Sequence, residues 1–281
     1  MFQNKFIYMK TIIAPTDFSP VSYNACIYAA HMAQDIKAEL VLLHLMELPL
    51  AVAEFPVTED VFDEISVEAE LKELQANLRT ETNNNVKIEI KNILGSAEYE
   101  IKELCKVKTP VAVVMGTHSS SILDRFFLGS ATVYTVKHLH YPVIVVPADA
   151  KYKSIKKIAL ASDLQNIYKI PVQEMETVVN LFKAEFEIVF VAKNKNDINR
   201  NSVQSLILDH RLANLNPKFH FIENKDVLQG VTSIAKQHNI DLLIIIPKNH
   251  GPFHKSQSKD FIFSSPIPLM AIHEHDIEVQ V

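Results

Sequence analysis

The sequence of 281 residues has no lysine- or arginine-rich block and no apolar run approaching the ~20 residues that a membrane span needs. With a net charge of −5, the first absence argues against nucleic-acid binding through a broad basic face. The second argues against a helical membrane span. The N-terminal MFQNKFIYMK lacks the apolar core and small-residue cleavage site of a signal peptide. Met9 stands directly before the first strand as an alternative start, so residues 1–8 read as a short extension. Cysteine occurs only at Cys26, inside a helical pattern of small and apolar residues, and at Cys105, at the end of another. Both are expected as reduced, core-facing thiols of a cytoplasmic protein. Two catalytic signatures are also missing: there is no GxxxxGK[ST] phosphate loop and no GxSxG elbow. Nothing therefore marks a catalytic residue, although groups converging from distant positions stay open.

What is present is a duplication. Residues 10–17 read KTIIAPTD and residues 156–163 read KKIALASD, each an apolar strand ending in a small residue, a hydroxyl residue and an aspartate. Amphipathic helices follow at 21–34 and 170–183, then buried strands introduced by Ala-Glu, AELVLLHLME (38–47) and AEFEIVFVAK (184–193). Helices near 67–82 and 203–212 lead to alternating strands at 86–94 and 218–223. Helices at 97–105 and 227–237 then lead to fourth strands at 111–115 and 242–246, and fifth strands at 143–146 and 269–272. The offset of ~146 residues between matching patterns is the mark of a repeat. The composition, 48% hydrophobic and 22% charged, lets each half bury its own core. The expected fold class is α/β: two tandem doubly wound, mainly parallel five-stranded sheets, divided as 1–150 and 151–281, with the polar, lysine-rich 148–154 as linker.

Only the first half carries a ligand-holding loop. In VAVVMGTHSSSILDRFFLGSATVYTVKHLHYPVIVVP (111–147) an apolar run ends at Met115-Gly116, and Gly129-Ser130 opens an amphipathic segment. A strand, a glycine-flanked loop and a helix N-terminus can hold a phosphate, because the first helical turn has unpaired N–H groups and positive dipole charge. Gly116 lets backbone approach a ligand, and Ser130 and Thr132 offer hydroxyls beside those N–H groups. An ordinary helix cap at Gly129-Ser130 is the competing reading. In the second half Pro247 is read as the replacement for Gly116, with no Gly-Ser following at the required spacing, and no nucleotide site is expected there. Between Pro247 and Pro268 the sequence leaves no room for both the loop and a full fourth helix.

Gly116-Thr117-His118-Ser119, nine residues, then Gly129-Ser130 resembles the nucleotide signature of the universal stress protein family, glycine, two residues, glycine, nine residues, glycine and a hydroxyl residue. IIAPTDFS resembles that family's opening element. The spacing is kept, but Ser119 stands where the second glycine is expected; a positive φ there would strain a serine by roughly 1 kcal/mol or more. The resemblance covers nearly the whole chain as two tandem copies, the second by pattern more than by motif. It implies a Rossmann-like, adenine nucleotide α-hydrolase-like fold. It also implies an adenine nucleotide, ATP or AMP, with or without Mg²⁺, bound in the first half. By the same resemblance Pro15, Thr16 and Asp17 meet the adenine and ribose side, and Leu45 lines the adenine pocket. Met115 and Gly116 lie beside ribose and phosphates, His118 and Ser119 form the phosphate loop, and Gly129, Ser130, Ala131 and Thr132 cap the phosphates. Asp17 has a second use open to it, capping the helix that follows.

The implied function is stress sensing or regulation by a nucleotide binder. A lysine clamp and a paired-carboxylate magnesium site are both missing, which favours binding over turnover. A nucleotide-independent interaction module and a slow ATP hydrolase are the alternatives. The two halves are expected to pair as a dimer fused in one chain, and further homodimerisation stays open. No metal site is assigned: His273-Glu274-His275-Asp276 has two histidines but no third ligand at fixed spacing and reads as a solvated tail. His138 and His140 read as helix-end cations, and the acidic stretch 54–73 as a solvated loop and helix face.

Overall fold

The computed structural model describes residues 10–46, 64–117, 130–162, 170–192, 210–247 and 265–274. The first half runs β1 (Thr11–Thr16), α1 (Pro20–Ile36), β2 (Glu39–Met46), α2 (Glu64–Glu81), β3 (Ile88–Leu94), α3 (Ala97–Lys108), β4 (Ala112–Thr117), α4 (Ser130–His138) and β5 (Val143–Pro147). The second runs β6 (Lys157–Ala161), α5 (Val172–Phe182), β7 (Glu185–Ala192), α6 (His210–Ala213), β8 (Lys218–Glu223), α7 (Val227–His238), β9 (Leu242–Ile245) and β10 (Leu269–Ala271). β4 extends past Met115 to take Gly116 and Thr117 into the strand. Of the helix expected at 203–212 only α6 lies among the described residues, and 248–264, where loop and helix were expected to be curtailed, lies outside them.

The strands form one sheet in the order β3-β2-β1-β4-β5-β10-β9-β6-β7-β8. Each half repeats the same doubly wound order, with parallel neighbours throughout. The halves meet edge to edge where β5 and β10 pair antiparallel, Leu269 opposite Val145 and Ala271 opposite Val143. The two expected five-stranded sheets are thus fused into a single one. This pairing removes two exposed strand edges, which would otherwise invite association.

Burial explains why the strands are uniformly apolar. Helices α1, α2, α5 and α6 cover one face through Ile12, Leu40, Leu42, Ile158 and Ile188; α3, α4 and α7 cover the other through Ile13, Leu43, Val113, Val145 and Leu243. Both apolar layers continue across the seam, with Ile144 and Met270 in one and Val145 and Leu269 in the other. Four of the buried residues of α1 are alanines, Ala25, Ala29, Ala30 and Ala33, beside the larger Tyr28, Met32 and Ile36, and the alanines let the helix lie close against the sheet. Its start is fixed by Ser19, whose hydroxyl accepts from the Ser22 amide at 3.3 Å, and by Pro20 at the first turn. Its end is fixed by Lys37 in the left-handed region, whose amide closes back on Ala33 and Gln34. Asn24 donates to the carbonyls of Pro147 and Ala150 at 3.2 and 3.0 Å, tying α1 to the end of β5. Cys26 and Cys105 are both buried and free, and burial pushes each thiol up to about 12.

Candidate functional site

The winding of the first half reverses between β1 and β4, the place where open α/β sheets hold ligands at their carboxyl ends. A proline shapes that place. The Lys10 carbonyl accepts the Glu39 amide from the β2 side, so strand alternation turns the backbones of Ile13 and Pro15 toward β4. Pro15 has no N–H to donate. The β1–β4 ladder accordingly stops at Ile13 opposite Val113, although β1 runs on to Thr16 and β4 to Thr117. Strand ends left unpaired at a switch point are where an open α/β sheet leaves a ligand crevice.

Around it, the turn after β1 is built from short polar side chains. Thr16 Oγ1 accepts from the Phe18 amide at 3.0 Å and lies 3.1 Å from Ser22 Oγ. The exposed Asp17 accepts from the Ser19 amide at 3.0 Å through Oδ1. The helix cap is therefore Ser19, and Asp17 braces the turn ahead of it. Partial burial works to raise the Asp17 pKa, but hydrogen bonds from the Ser19 and Ser22 hydroxyls and from the backbone outweigh it and hold the carboxyl below its ordinary value. Phe18 adopts φ 61°, which disfavours a bulky residue by roughly 1 kcal/mol. Its ring stacks on His44 of β2 at 4.7 Å. His44 Nδ1 lies 2.9 Å from the Thr16 carbonyl, a group that only accepts, so Nδ1 carries the proton. The sequence reading did not place His44 in the site; its position one strand over, opposite Thr16, becomes visible only in the β1–β2 register.

On the other side of the crevice Met115 is buried and Gly116 is half-buried. A Cβ on Gly116 would stand 2.6 Å from the Val21 carbonyl oxygen, so the absent side chain is what admits the first turn of α1. Thr117 Oγ1 is buried and has no hydrogen-bond partner among the described residues. Ser130 opens α4, whose first turn has no acidic residue. Ala131 is half-buried, and the buried Thr132 directs its hydroxyl at the Gly116 carbonyl, 3.4 Å away. Leu45, half-buried at the end of β2, packs on the layer under α3 and α4. The structure thus gathers Pro15, Thr16, Asp17, Leu45, Met115, Gly116, Ser130, Ala131 and Thr132 at the carboxyl ends of β1, β2 and β4. His118, Ser119 and Gly129 lie outside the described residues. The donor set fits a nucleotide: an exposed carboxylate for sugar hydroxyls or an amine, an unpartnered buried hydroxyl, and a helix start free of negative charge.

At the corresponding point of the second half the ladder is unbroken. Ala161 occupies the place of Pro15 and has its N–H, and the β6–β9 ladder continues through Ala161 opposite Ile245. That register also revises the sequence alignment. Ile158 faces Leu242 as Ile12 faces Ala112, so Ile246, rather than Pro247, stands where the first half has Gly116. Matching the fourth strands by their first apolar residues sets Leu242 against Val111, whereas the ladder sets it at the place of Ala112. Of the expected solvated tail, His273 is instead tied down: its Nε2 donates to the Val136 carbonyl of α4 at 2.8 Å, across the seam, while His275 and Asp276 lie outside the described residues.

Residues 9–147 match the family model of the universal stress protein family. A curated universal stress protein of Methanocaldococcus jannaschii is 29% identical over 143 residues, which make up 50% of this chain and 84% of that relative. A solved universal stress protein of Archaeoglobus fulgidus is similar in structure, with a TM-score of 0.69 and 17% identity over 96% of this chain and 99% of that one. A functionally unknown protein of Pseudomonas aeruginosa gives a TM-score of 0.60 and 11% identity, over 96% of this chain and 94% of that one. At such identities these two structures speak to the fold alone, and they match it across both halves. Among the described residues no helix is long and apolar enough to cross a membrane.

Proposed function

The chain is a tandem member of the universal stress protein family, and from that premise we propose that its first half binds an adenine nucleotide, ATP or AMP, in the β1/β4 crevice as a regulatory ligand. The observation that carries the reading is the ladder cut short at Pro15, beside an unpartnered Thr117 hydroxyl and an exposed Asp17. In this reading Asp17 accepts from a ribose hydroxyl or the adenine amine, and Leu45 and Met115 give the base an apolar wall. The backbone of Gly116 lies beside the sugar and phosphates, while the α4 amides beginning at Ser130 and the Thr132 hydroxyl meet phosphate oxygens. His118, Ser119 and Gly129 complete the phosphate loop, with Mg²⁺ accompanying ATP where it binds. We place the division of the chain at 150/151, the second part being a copy without a site. The work of the protein is binding rather than turnover, in the cytoplasm, where its two thiols stay reduced.

Equilibrium binding of ATP and AMP to the purified chain tests this, beside Gly129→Arg, which obstructs the helix start. Micromolar binding by the wild type, lost in the variant, is the expected result. A wild type that binds neither nucleotide, and carries none through purification by mass spectrometry, overturns it.

A further inference from the structure

The second half has a cluster of its own, at the opposite end of the β6–β9 strand group from its closed switch point. Glu187 lies near the start of β7 on the face covered by α7, and only 1% of it is exposed. A buried carboxylate is strongly disfavoured without a compensating charge. His220 of β8 brings Nε2 to 2.7 Å from Glu187 Oε2, and His238, the last residue of α7, brings Nδ1 to 3.6 Å from the same oxygen. The two imidazole rings stand 4.1 Å apart, inclined by 54°. One donor atom from each of the three residues falls within 4.8 Å of the others. Yet neither Glu187 Oε2 nor His220 Nε2 has a hydrogen-bond partner among the described residues. Their close approach lacks the alignment that a shared proton requires. The neighbouring lysines are engaged elsewhere, Lys218 on Glu185 at 2.6 Å and Lys157 on the His238 carbonyl at 3.1 Å.

The first half shows what this place looks like without the cluster. Strand register and helix caps put Val41 at the position of Glu187, Lys91 at that of His220 and Lys108 at that of His238. There Val41 is plain core, and both lysines pair with Glu89, Lys91 at 3.1 Å and Lys108 at 2.6 Å. In the second half a hydrocarbon and two lysines are replaced together by a carboxylate and two imidazoles. Three positions far apart in sequence have turned to metal donors at one point in space.

The geometry points to a metal site formed by Glu187, His220 and His238, for a divalent late transition ion of the Zn²⁺ class, with the remaining coordination position left to solvent. Two nitrogens and one carboxylate oxygen suit such an ion, whereas Ca²⁺ and Mg²⁺ favour all-oxygen shells. Donors held by one tetrahedral Zn²⁺ stand about 3.4 Å apart, and the observed 2.7 and 3.6 Å lie on either side of that spacing. The C-terminal end of α7 adds negative dipole charge beside a cation. The ion neutralises Glu187 and pins β7, β8 and α7 together. His220 and His238 are partly exposed, which gives it a way in.

The test uses the full chain, stripped with EDTA and titrated with Zn²⁺ against a chromogenic chelator, with Co²⁺ as a spectroscopic probe. The expected result is one tight Zn²⁺ per chain and four-coordinate Co²⁺ visible bands. His220→Lys and His238→Lys, which install the residues of the first half, should each weaken binding by more than about 100-fold. Zn²⁺ should raise the melting temperature of the wild type and leave the double variant unchanged. A cooperative urea transition in EDTA, with a midpoint no lower than that of the metal-free wild type, shows that the variants fold. Two results overturn the proposal: no Zn²⁺ binding by the wild type, or binding that the double variant retains.

Discussion

The two switch points of this sheet are built on one plan and differ at one backbone hydrogen and at the side chain beside it. At β1/β4 Pro15 withholds an N–H and the ladder ends at Ile13; at β6/β9 Ala161 supplies it and the ladder runs on to Ile245. Beside the open point stands Gly116, against which α1 can close; beside the shut one stands Ile246. A crevice at a switch point is therefore no automatic product of the fold. Here a residue that cannot pair leaves the strand ends apart, while the glycine beside it lets α1 pack against β4.

The largest break in this contrast is Gly116→Ile, which gives the first half the residue of the second. A Cβ 2.6 Å from the Val21 carbonyl forces α1 away, and the expected loss is about 3 kcal/mol in urea unfolding. Thiol labelling reports the same event for the first half alone, since Cys26 and Cys105 both lie there and are unreactive while buried. Next is Ala161→Pro, which cuts the closed ladder and leaves a β9 carbonyl unpaired, a destabilisation of about 2 kcal/mol. Its mirror, Pro15→Ala, lets β1 and β4 zip together. ATP affinity should drop at least tenfold, about 1.4 kcal/mol, by titration calorimetry, while the urea midpoint rises. Unchanged affinity would separate the crevice from the ladder.

The smallest effect concerns the seam. Burial lowers the His273 pKa from its ordinary 6.5, and nearby His140 and His138 add to this, against the opposing hydrogen bond to Val136. The folded state thus holds this histidine neutral, while the unfolded chain takes up a proton as pH falls through the ordinary value. Stability is full above that value and declines below it, down to the folded pKa. The urea midpoint should fall modestly between pH 7 and pH 5.5, and His273→Gln, which keeps a donor for Val136, should flatten that slope.

Strands and helices were legible in the sequence because their periodicity is local, and the repeat made each half a check on the other. What pairing decides was not legible. Glycine ordinarily punctuates a strand, so the sequence pattern ends β4 at Met115; here Gly116 stays paired with Val146 while its bare Cα receives α1. The match of Pro247 to Gly116 erred by one residue for the same reason. Pro15 was visible as a letter, but the direction of its missing N–H follows only from the ladder. Glu187 left a trace, an acid inside the apolar run AEFEIVFVAK, yet its partners on β8 and α7 are not neighbours in sequence.

The antiparallel seam between β5 and β10 also bears on how often a change is felt. In a symmetric pair of identical chains every substitution occurs twice, so a residue that suits one role is imposed on both copies. Joined in one polypeptide, the halves keep the shared edge but lose that obligation. A proline can hold one crevice open while its counterpart becomes alanine, and a valine in one core can become the buried glutamate of the other. The seam conserves the partnership and sets each partner free to specialise.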